Sequence, residues 1–321
     1  HAAALRAAGD RALPLAPLTE AVAALSDGKA GEAATLLDSA NAVGLERFAL
    51  PFAEAWISLA EGKTAEALSA LDNAGLPEGT EALVAEQAAS ILLLAKDPVA
   101  AEARIKSIAE DSAALPLSTK RLYARVLVEQ GRAGEARSLL EQAASDGAAA
   151  SRALQDDLAA LGDNRIPAPM VRDPASGLAL AFQTIGSFAQ RQSSLMALRY
   201  HRLALMLDPG LDLSWLGVAS VLQERQQYTQ ASAALQNIGK DSPFRFDAQL
   251  EIVANLQAAK QDDAAIKAAE ALAKEGVAFI GPPVKAIEAM GDKITSKKIA
   301  AEAGVSTVPG HMGLIEDADE A

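Results

Sequence analysis

The chain has 321 residues, no cysteine, 4% aromatic residues and a net charge of −13. Without cysteine it can form neither disulfides nor thiolate metal sites. The excess of acidic residues argues against nucleic acid as a partner, because binding to phosphates needs clustered Lys and Arg. Half of the residues are apolar and only a few of these are aromatic, a composition that favours helices packed on helices.

The compartment is left open by the sequence. No apolar run reaches the ~20 residues that span a bilayer, so we expect a protein that is not embedded in a membrane. The absence of cysteine suits either a reducing cytoplasm or a periplasm. The chain begins at His1 rather than Met and ends in LIEDADEA, and we interpret both ends as truncations.

An internal repeat dominates the first 275 residues. Four similar segments occur at residues 28–33 (GKAGEA), 62–67 (GKTAEA), 96–101 (KDPVAA) and 131–136 (GRAGEA). Their closing alanines are 34, 34 and 35 residues apart. A second series of alanines keeps the 34-residue spacing: Ala197, Ala231 and Ala265. A sustained 34-residue period is the signature of tetratricopeptide repeats, in which each unit is a pair of helices.

One unit, residues 212–243, resembles the tetratricopeptide family position by position. The matches at positions 4, 8, 11, 17, 20 and 32 are Trp215, Ala219, Leu222, Tyr228, Ala231 and Pro243. Small residues at positions 8 and 20 allow the two helices to touch, and proline ends the second helix. Gln226 stands where the family usually has a turn glycine, which is a departure from the pattern.

The two series of alanines are separated by a helix at residues 151–162 and a proline-rich stretch, DNRIPAPMVRDP, at residues 163–174. Proline breaks helical hydrogen bonding, so we place a boundary between two subdomains here, called the seam. Beyond the seam the chain either continues as one superhelix or bends. The predicted fold is a mainly α, right-handed helical-hairpin solenoid with a small α/β fragment at its C-terminus. The predicted domains are N-terminal repeats at 1–148, the helix and seam at 149–174, C-terminal repeats at 175–275 and a distinct fragment at 276–321.

The arrangement of the repeats and the seam, together with the sequence segment DPASGLALAF, resembles that of exported tetratricopeptide proteins of alphaproteobacteria. This resemblance favours a periplasmic location for the repeat part.

In the tetratricopeptide family, positions 2, 5, 9, 12 and 13 of a unit face a concave groove. The resemblance therefore implies partner-binding residues at Phe182, Gln190, Leu213, Leu216, Ser220, Gln223, Glu224, Leu250 and Gln257. Family members that bind a peptide's terminal carboxylate use Lys and Asn at such positions, and none is present here. An apolar, mildly acidic wall suits an amphipathic helix or an extended segment. Alternatively, Phe182, Leu213, Leu216 and Leu250 pack between units.

No catalytic or metal-binding pattern occurs in the repeats. There is no HExxH, no paired histidine and no calcium loop, and His201 falls at a repeat position where large residues pack. We therefore predict that His201 is a core residue and that the repeats hold neither a metal nor a catalytic residue.

The pattern changes at Gly276. VAFIG is typical of a buried strand, PVKAIEAM of a short helix, DKITSKKIAAEAG of a second helix ending at Gly304, and VSTVPG of a second extended run. This order is an α/β pattern. FIGPP and MGDK…AGVSTVPG closely resemble the biotin carboxylase subunit of propionyl-CoA and acetyl-CoA carboxylases, which belong with the ATP-grasp enzymes. The resemblance implies a cytoplasmic setting for this fragment and a contact between Lys293 and ATP.

The resemblance stops short of an active site. The family's first ~90 residues, its glycine-rich loop, its metal-binding glutamates and its bicarbonate-site arginine are missing, and nucleotide chemistry needs such groups placed together. We expect no bound cofactor, ATP included, and no enzymatic activity. The segment EALAKEG at residues 270–276 fits both the end of a repeat helix and the segment that precedes the first strand in biotin carboxylases. This overlap suggests a chimera of a repeat scaffold and a carboxylase fragment.

Two functions remain open. The first is a non-enzymatic scaffold that binds a protein or peptide segment in its groove. The alternative is a part of a biotin-dependent acyl-CoA carboxylase whose ATP-grasp body is absent from this chain.

Overall fold

A computed structural model describes residues 16–39, 46–109, 115–148, 151–274 and 293–305. These residues form helices and connecting turns, with no strand among them. The helices are α1 (Ala16–Ser26), α2 (Ala30–Asp38), α3 (Glu46–Ala60), α4 (Thr64–Asp72), α5 (Glu81–Leu94), α6 (Pro98–Lys106), α7 (Leu117–Glu129), α8 (Ala133–Ser145), α9 (Arg152–Gly162), α10 (Pro174–Ala189), α11 (Ser194–Leu207), α12 (Asp212–Glu224), α13 (Tyr228–Leu235), α14 (Arg245–Ala258), α15 (Asp262–Lys274) and α16 (Lys293–Glu302).

The chain divides into two compact units, residues 1–265 and 266–321. The larger unit confirms the predicted all-helical repeat architecture. Its helices pack as successive hairpins, in the pairs α1–α2, α3–α4, α5–α6, α7–α8, α10–α11 and α12–α13, and each hairpin packs on the next one along the array except across the seam. The fold is therefore a tetratricopeptide-like array of helical hairpins.

In the smaller unit, the second predicted helix is confirmed as α16. It ends at Glu302, two residues before Gly304, whose φ of +72° is a left-handed conformation that glycine adopts without steric cost. The predicted strands and the short helix between them fall almost entirely on residues 276–292 and 306–321, outside the described residues.

The alanines that define the repeat lie in the core of the array. Each is fully buried where the two helices of its hairpin meet: Ala33, Ala67, Ala101, Ala136, Ala197 and Ala231. Helices approach closely only where side chains are small. The predicted register of the repeats is therefore confirmed, including the position-20 alanine of the unit at residues 212–243.

The turns inside the hairpins repeat one backbone geometry. Gly62 and Gly131 have φ values of +80° and +77°, and the equivalent residues Lys96 and Gln226 have φ values of +65° and +58°. A left-handed φ is strained for residues with a Cβ atom. Gln226 therefore adopts the same turn as the glycines, although it departs from the repeat pattern. Packing of the two helices offsets the local backbone strain at Gln226.

The proline-rich stretch redirects the chain. Residues 163–173 form no helix, and α10 begins after a capping box in which the Asp173 carboxylate accepts a hydrogen bond from the Ser176 backbone at 2.7 Å. Beyond the stretch, α10 packs on α3 and α5, and α11 packs on α1. Of the two courses that the sequence left open, the chain takes the bend, and it returns to its own N-terminal repeats.

The contact between α3 and α10 is close. Trp56 of α3 is fully buried, and its indole nitrogen donates a hydrogen bond to Gln87 of α5 at 2.8 Å. Gly177 of α10 lies directly over the ring, so that a Cβ atom added there would approach the indole to 2.3 Å. Further along the two helices, Phe48 and Phe188 stack with ring centroids 6.3 Å apart. The first helices of two N-terminal hairpins, α3 and α5, are thus covered by α10.

We expect Ala231→Leu to lower the free energy of unfolding by about 1–3 kcal/mol, because overpacking a tight helix contact forces strain. Ala233, two residues further along α13, is exposed and provides the matched control Ala233→Leu. Urea denaturation of both variants measures the difference. Equal midpoints for the two variants would show that Ala231 does not face the first helix of its hairpin.

We expect Gly177→Ala to lower the unfolding free energy by about 1–3 kcal/mol, since the added methyl group overlaps the Trp56 ring and α10 must move outward. A methyl group added at Gly162 of α9 would have no neighbouring atom within 4 Å, so Gly162→Ala serves as the control. In a helix this control gains up to about 1 kcal/mol. Thermal and urea denaturation of the two variants distinguish the outcomes, and a neutral Gly177→Ala would contradict the described packing.

Candidate partner-binding groove

Three helices of the C-terminal part of the array, α10, α12 and α14, form an open groove. Its volume is about 630 Å³. The residues that line it are Gln183, Ser187, Gln190, Leu213, Leu216, Gly217, Ser220, Phe244, Asp247, Leu250 and Glu251. Five residues of the predicted groove set lie together here: Gln190, Leu213, Leu216, Ser220 and Leu250.

The floor of the groove is apolar and accessible. Leu213 is 42% exposed and Leu250 is 36% exposed, on neighbouring helices. Leu216 and Phe244 are half-buried and pack against the core beneath α12 and α14. Single exposed apolar side chains are normal, whereas here two exposed leucines lie in one groove beside two half-buried apolar side chains.

A ladder of hydrogen bonds fixes the polar rim between α10 and α12. The Gln190 amide donates to Ser220 at 2.8 Å and to the Glu224 carboxylate at 2.9 Å. The Ser194 hydroxyl donates to the other oxygen of Glu224 at 2.6 Å. These hydrogen bonds from Ser194 and Gln190 hold the pKa of Glu224 below its usual range, because they favour the charged carboxylate. Glu224 is therefore a fixed negative charge at the rim.

The same arrangement continues from α12 to α14. The Gln223 amide donates to the Asn255 side-chain oxygen at 3.0 Å and to Glu251 at 3.2 Å. Asn255 is buried. Asp247 and Glu251 are one helical turn apart on α14 and both line the groove. The two acidic residues are four positions apart on the first helix of a unit, and this spacing is the signal in the sequence that points to them. The predicted set of site residues includes neither of them.

Four predicted groove residues are absent from the lining. Gln223 and Glu224 are hydrogen-bonded to lining residues, Glu251 and Gln190, whereas Phe182 and Gln257 are not part of this arrangement. Phe182 is fully buried and packs on Tyr200 with ring centroids 5.9 Å apart, so it contributes to the core and not to a partner contact. The reason is that α10 also packs on α3 and α5, which turns Phe182 inward. Gln257 is exposed near the end of α14 and is absent from the groove lining.

His201 lies beneath the groove floor. It is 1% exposed, and neither ring nitrogen has a hydrogen-bond partner within the described part of the chain. Two glycines make room for the ring: a Cβ atom added at Gly217 would lie 2.3 Å from its Nε2 atom, and one at Gly186 would lie 3.1 Å from the ring. Burial lowers the pKa of His201 from 6.5 to about 4. The prediction of a core histidine is confirmed.

Lys293, the residue linked to ATP by the carboxylase resemblance, is the first residue of α16. Its side chain lies outside the described residues. Within the described ranges, no group of three or more His, Asp or Glu side chains is arranged to hold a metal ion. In the same ranges no helix has the length and apolarity needed to span a bilayer.

The curated relatives described here match a short segment of the chain. No protein-family model matches the chain. The propionyl-CoA carboxylase alpha chain of Ruegeria pomeroyi is 82% identical over 55 residues, which are 17% of this chain and 8% of the carboxylase chain. The mitochondrial propionyl-CoA carboxylase alpha chain of Sus scrofa is 60% identical over 53 residues, 16% of this chain and 7% of its own. The chain thus spans less than a tenth of these relatives, and the predicted resemblance of a short segment to this carboxylase is confirmed.

Among solved structures, a human IFIT1 dimer with PPP-AAAA aligns over 95% of this chain and 76% of its own, with 14% identity and a TM-score of 0.30. A monomeric IFIT1 mutant with Gppp-AAAA aligns over 88% of this chain and 72% of its own, with 15% identity and a TM-score of 0.29.

The buried imidazole predicts a dependence of stability on pH. In the unfolded chain His201 binds a proton near pH 6.5, whereas in the folded protein it does so only near pH 4. The unfolded state therefore binds more protons as the pH falls, so the stability present above pH 6.5 is lost progressively toward pH 4. The full loss is about 3 kcal/mol.

His201→Gln removes this loss, because glutamine does not titrate. The measurement is urea denaturation of both proteins at several pH values between neutral and mildly acidic. We expect the wild type to lose more stability than the variant over this interval. Parallel pH profiles would show that His201 is not held neutral by burial.

Proposed function

We propose that this chain is a non-enzymatic scaffold that binds a helical segment of another protein in the groove of α10, α12 and α14. The observation that supports it most directly is the pair of exposed leucines on adjacent helices, Leu213 at 42% and Leu250 at 36%. They flank the half-buried Leu216 and Phe244. An amphipathic helix that lays its apolar face into such a groove would cover all four side chains.

The chain itself supports a helical partner over an extended one. The N-terminal hairpins already hold a helix: α10 packs on α3 and α5, the first helices of their hairpins. The C-terminal groove is built from the equivalent helices of later hairpins. Helices in such arrays pack about 8–10 Å apart, so three of them present a surface of about 20 Å. A partner helix of about 15 residues spans that width.

A second function remains a candidate because of the carboxylase match. A segment 82% identical to part of a propionyl-CoA carboxylase alpha chain is consistent with a link to a biotin-dependent carboxylase. We nevertheless propose that this segment does not bind ATP, since the groups that hold nucleotide and metal in that family are missing from the sequence. Titration with Mg-ATP by calorimetry distinguishes the two functions. Saturable binding that Lys293→Ala abolishes would favour the carboxylase candidate.

The groove proposal is tested with a fluorescein-labelled amphipathic helix of leucine, alanine and lysine, about 15 residues long, by fluorescence anisotropy. We expect Leu213→Asp and Leu250→Asp each to weaken its binding by about tenfold or more, because a buried leucine contributes about 1.5–3 kcal/mol. Both side chains are exposed, so folding should be preserved.

Val99 of α6 is 71% exposed and does not line the groove, which makes Val99→Asp the matched control. Circular dichroism and urea denaturation verify that all three variants are folded. If the peptide fails to bind the wild type, or if Leu213→Asp and Val99→Asp bind it equally, the groove is not the binding site.

A further inference from the structure

The groove is charged as well as apolar. Its lining includes two carboxylates, Asp247 and Glu251, and no lysine or arginine. The two lie one turn apart on α14 and thus project from the same face of the helix. Glu224 is a third carboxylate beside the groove, where it accepts a hydrogen bond from the lining residue Gln190 at 2.9 Å. Negative charge therefore lies both within the groove lining and next to it.

These carboxylates are not neutralised by cations in the part of the chain that the structure describes. Asp247, Glu251 and Glu224 form no ion pair there, and their polar contacts are with neutral groups: Gln223 on Glu251, and Gln190 and Ser194 on Glu224. The acidic residues in the N-terminal repeats differ. Asp72 is paired with Arg104 at 2.6 Å, and Glu102 with Arg132 at 2.8 Å. Asp72 and Glu102 thus join neighbouring repeats, whereas the carboxylates of the groove remain available to a partner.

From this geometry we propose that the partner segment is a cationic amphipathic helix. Its apolar stripe covers Leu213, Leu216 and Leu250, and lysine or arginine residues beside the stripe face Asp247, Glu251 and Glu224. The proposal rests on the proposed function, because it assigns a charge to the helix that the groove would bind. Charge complementarity of this kind selects partners by penalising like charges more than by adding affinity.

The fit also excludes other ligands of the same groove. A nucleic acid would place phosphates against three carboxylates, which is unfavourable. A peptide held by its terminal carboxylate would meet the same negative charge. The groove chemistry thus points to one class of ligand: a protein helix with a basic border.

The test uses three labelled peptides of about 15 residues that share one leucine and alanine stripe and differ only in the flanking residues, which are lysine, glutamine or glutamate. Their binding to the full chain is measured by fluorescence anisotropy, together with binding to the double variant Asp247→Asn, Glu251→Gln. We expect the lysine peptide to bind the wild type about tenfold more tightly than the glutamate peptide. The double variant should remove most of this preference and leave the glutamine peptide unaffected.

Added sodium chloride should weaken only the lysine peptide, since it screens exposed charges. Glu78→Gln is the control, because it removes an exposed carboxylate that lies outside the groove and forms no ion pair in the described part of the chain. Equal binding of the three peptides to the wild type, with all three weakened by Leu213→Asp, would overturn the cationic partner and leave the apolar groove standing. Binding that Leu213→Asp does not affect would overturn the proposed function as well. A charge preference that persists in the double variant would place the discriminating charges elsewhere and overturn the assignment to Asp247 and Glu251.

Discussion

The burial of Trp56 beneath α10 is the interaction on which the arrangement of the large unit depends. The indole is fully buried and hydrogen-bonded to Gln87, and the absence of a side chain at Gly177 lets α10 rest on the ring. A tryptophan on the first helix of a repeat would otherwise face the concave side of the array, where it would be exposed to water. Covering it supplies a large apolar contribution to stability and holds the chain after the proline-rich stretch against its own N-terminal repeats.

This contact gives the repeats two different roles. Among the N-terminal hairpins, α3 and α5 are covered by α10, and their concave side is used for internal packing. In contrast, α12 and α14 present leucines to the groove, and α14 adds two carboxylates. The helix α10 therefore belongs to both arrangements: one face is held by α3 and α5, and Gln183, Ser187 and Gln190 face the groove. The helix that covers α3 and α5 therefore also helps to form the binding groove that we propose.

Local features of the sequence predict much of this structure. The 34-residue spacing identifies the hairpins and places the buried alanines, and the positions of Leu213 and Leu250 follow from the repeat register. The sequence does not predict the return of α10, because a contact between Trp56 and Gly177 joins residues far apart in the chain and has no periodic signature. For the same reason the repeat register assigns Phe182 to the groove although it is buried. The acidic pair on α14 is missed because Glu251 does not occupy one of the general groove positions of the repeat.

The most direct test of this account is the environment of Trp56 in solution. The chain has two tryptophans, so Trp215→Phe leaves Trp56 as the only indole. Its fluorescence should be blue-shifted and resistant to quenching by acrylamide, because α10 covers the ring. Adding Gly177→Ala to this variant should shift the emission to the red, since the new methyl group displaces α10 from the ring. Emission typical of an exposed indole in the Trp215→Phe protein would contradict the docking of α10 on the N-terminal repeats.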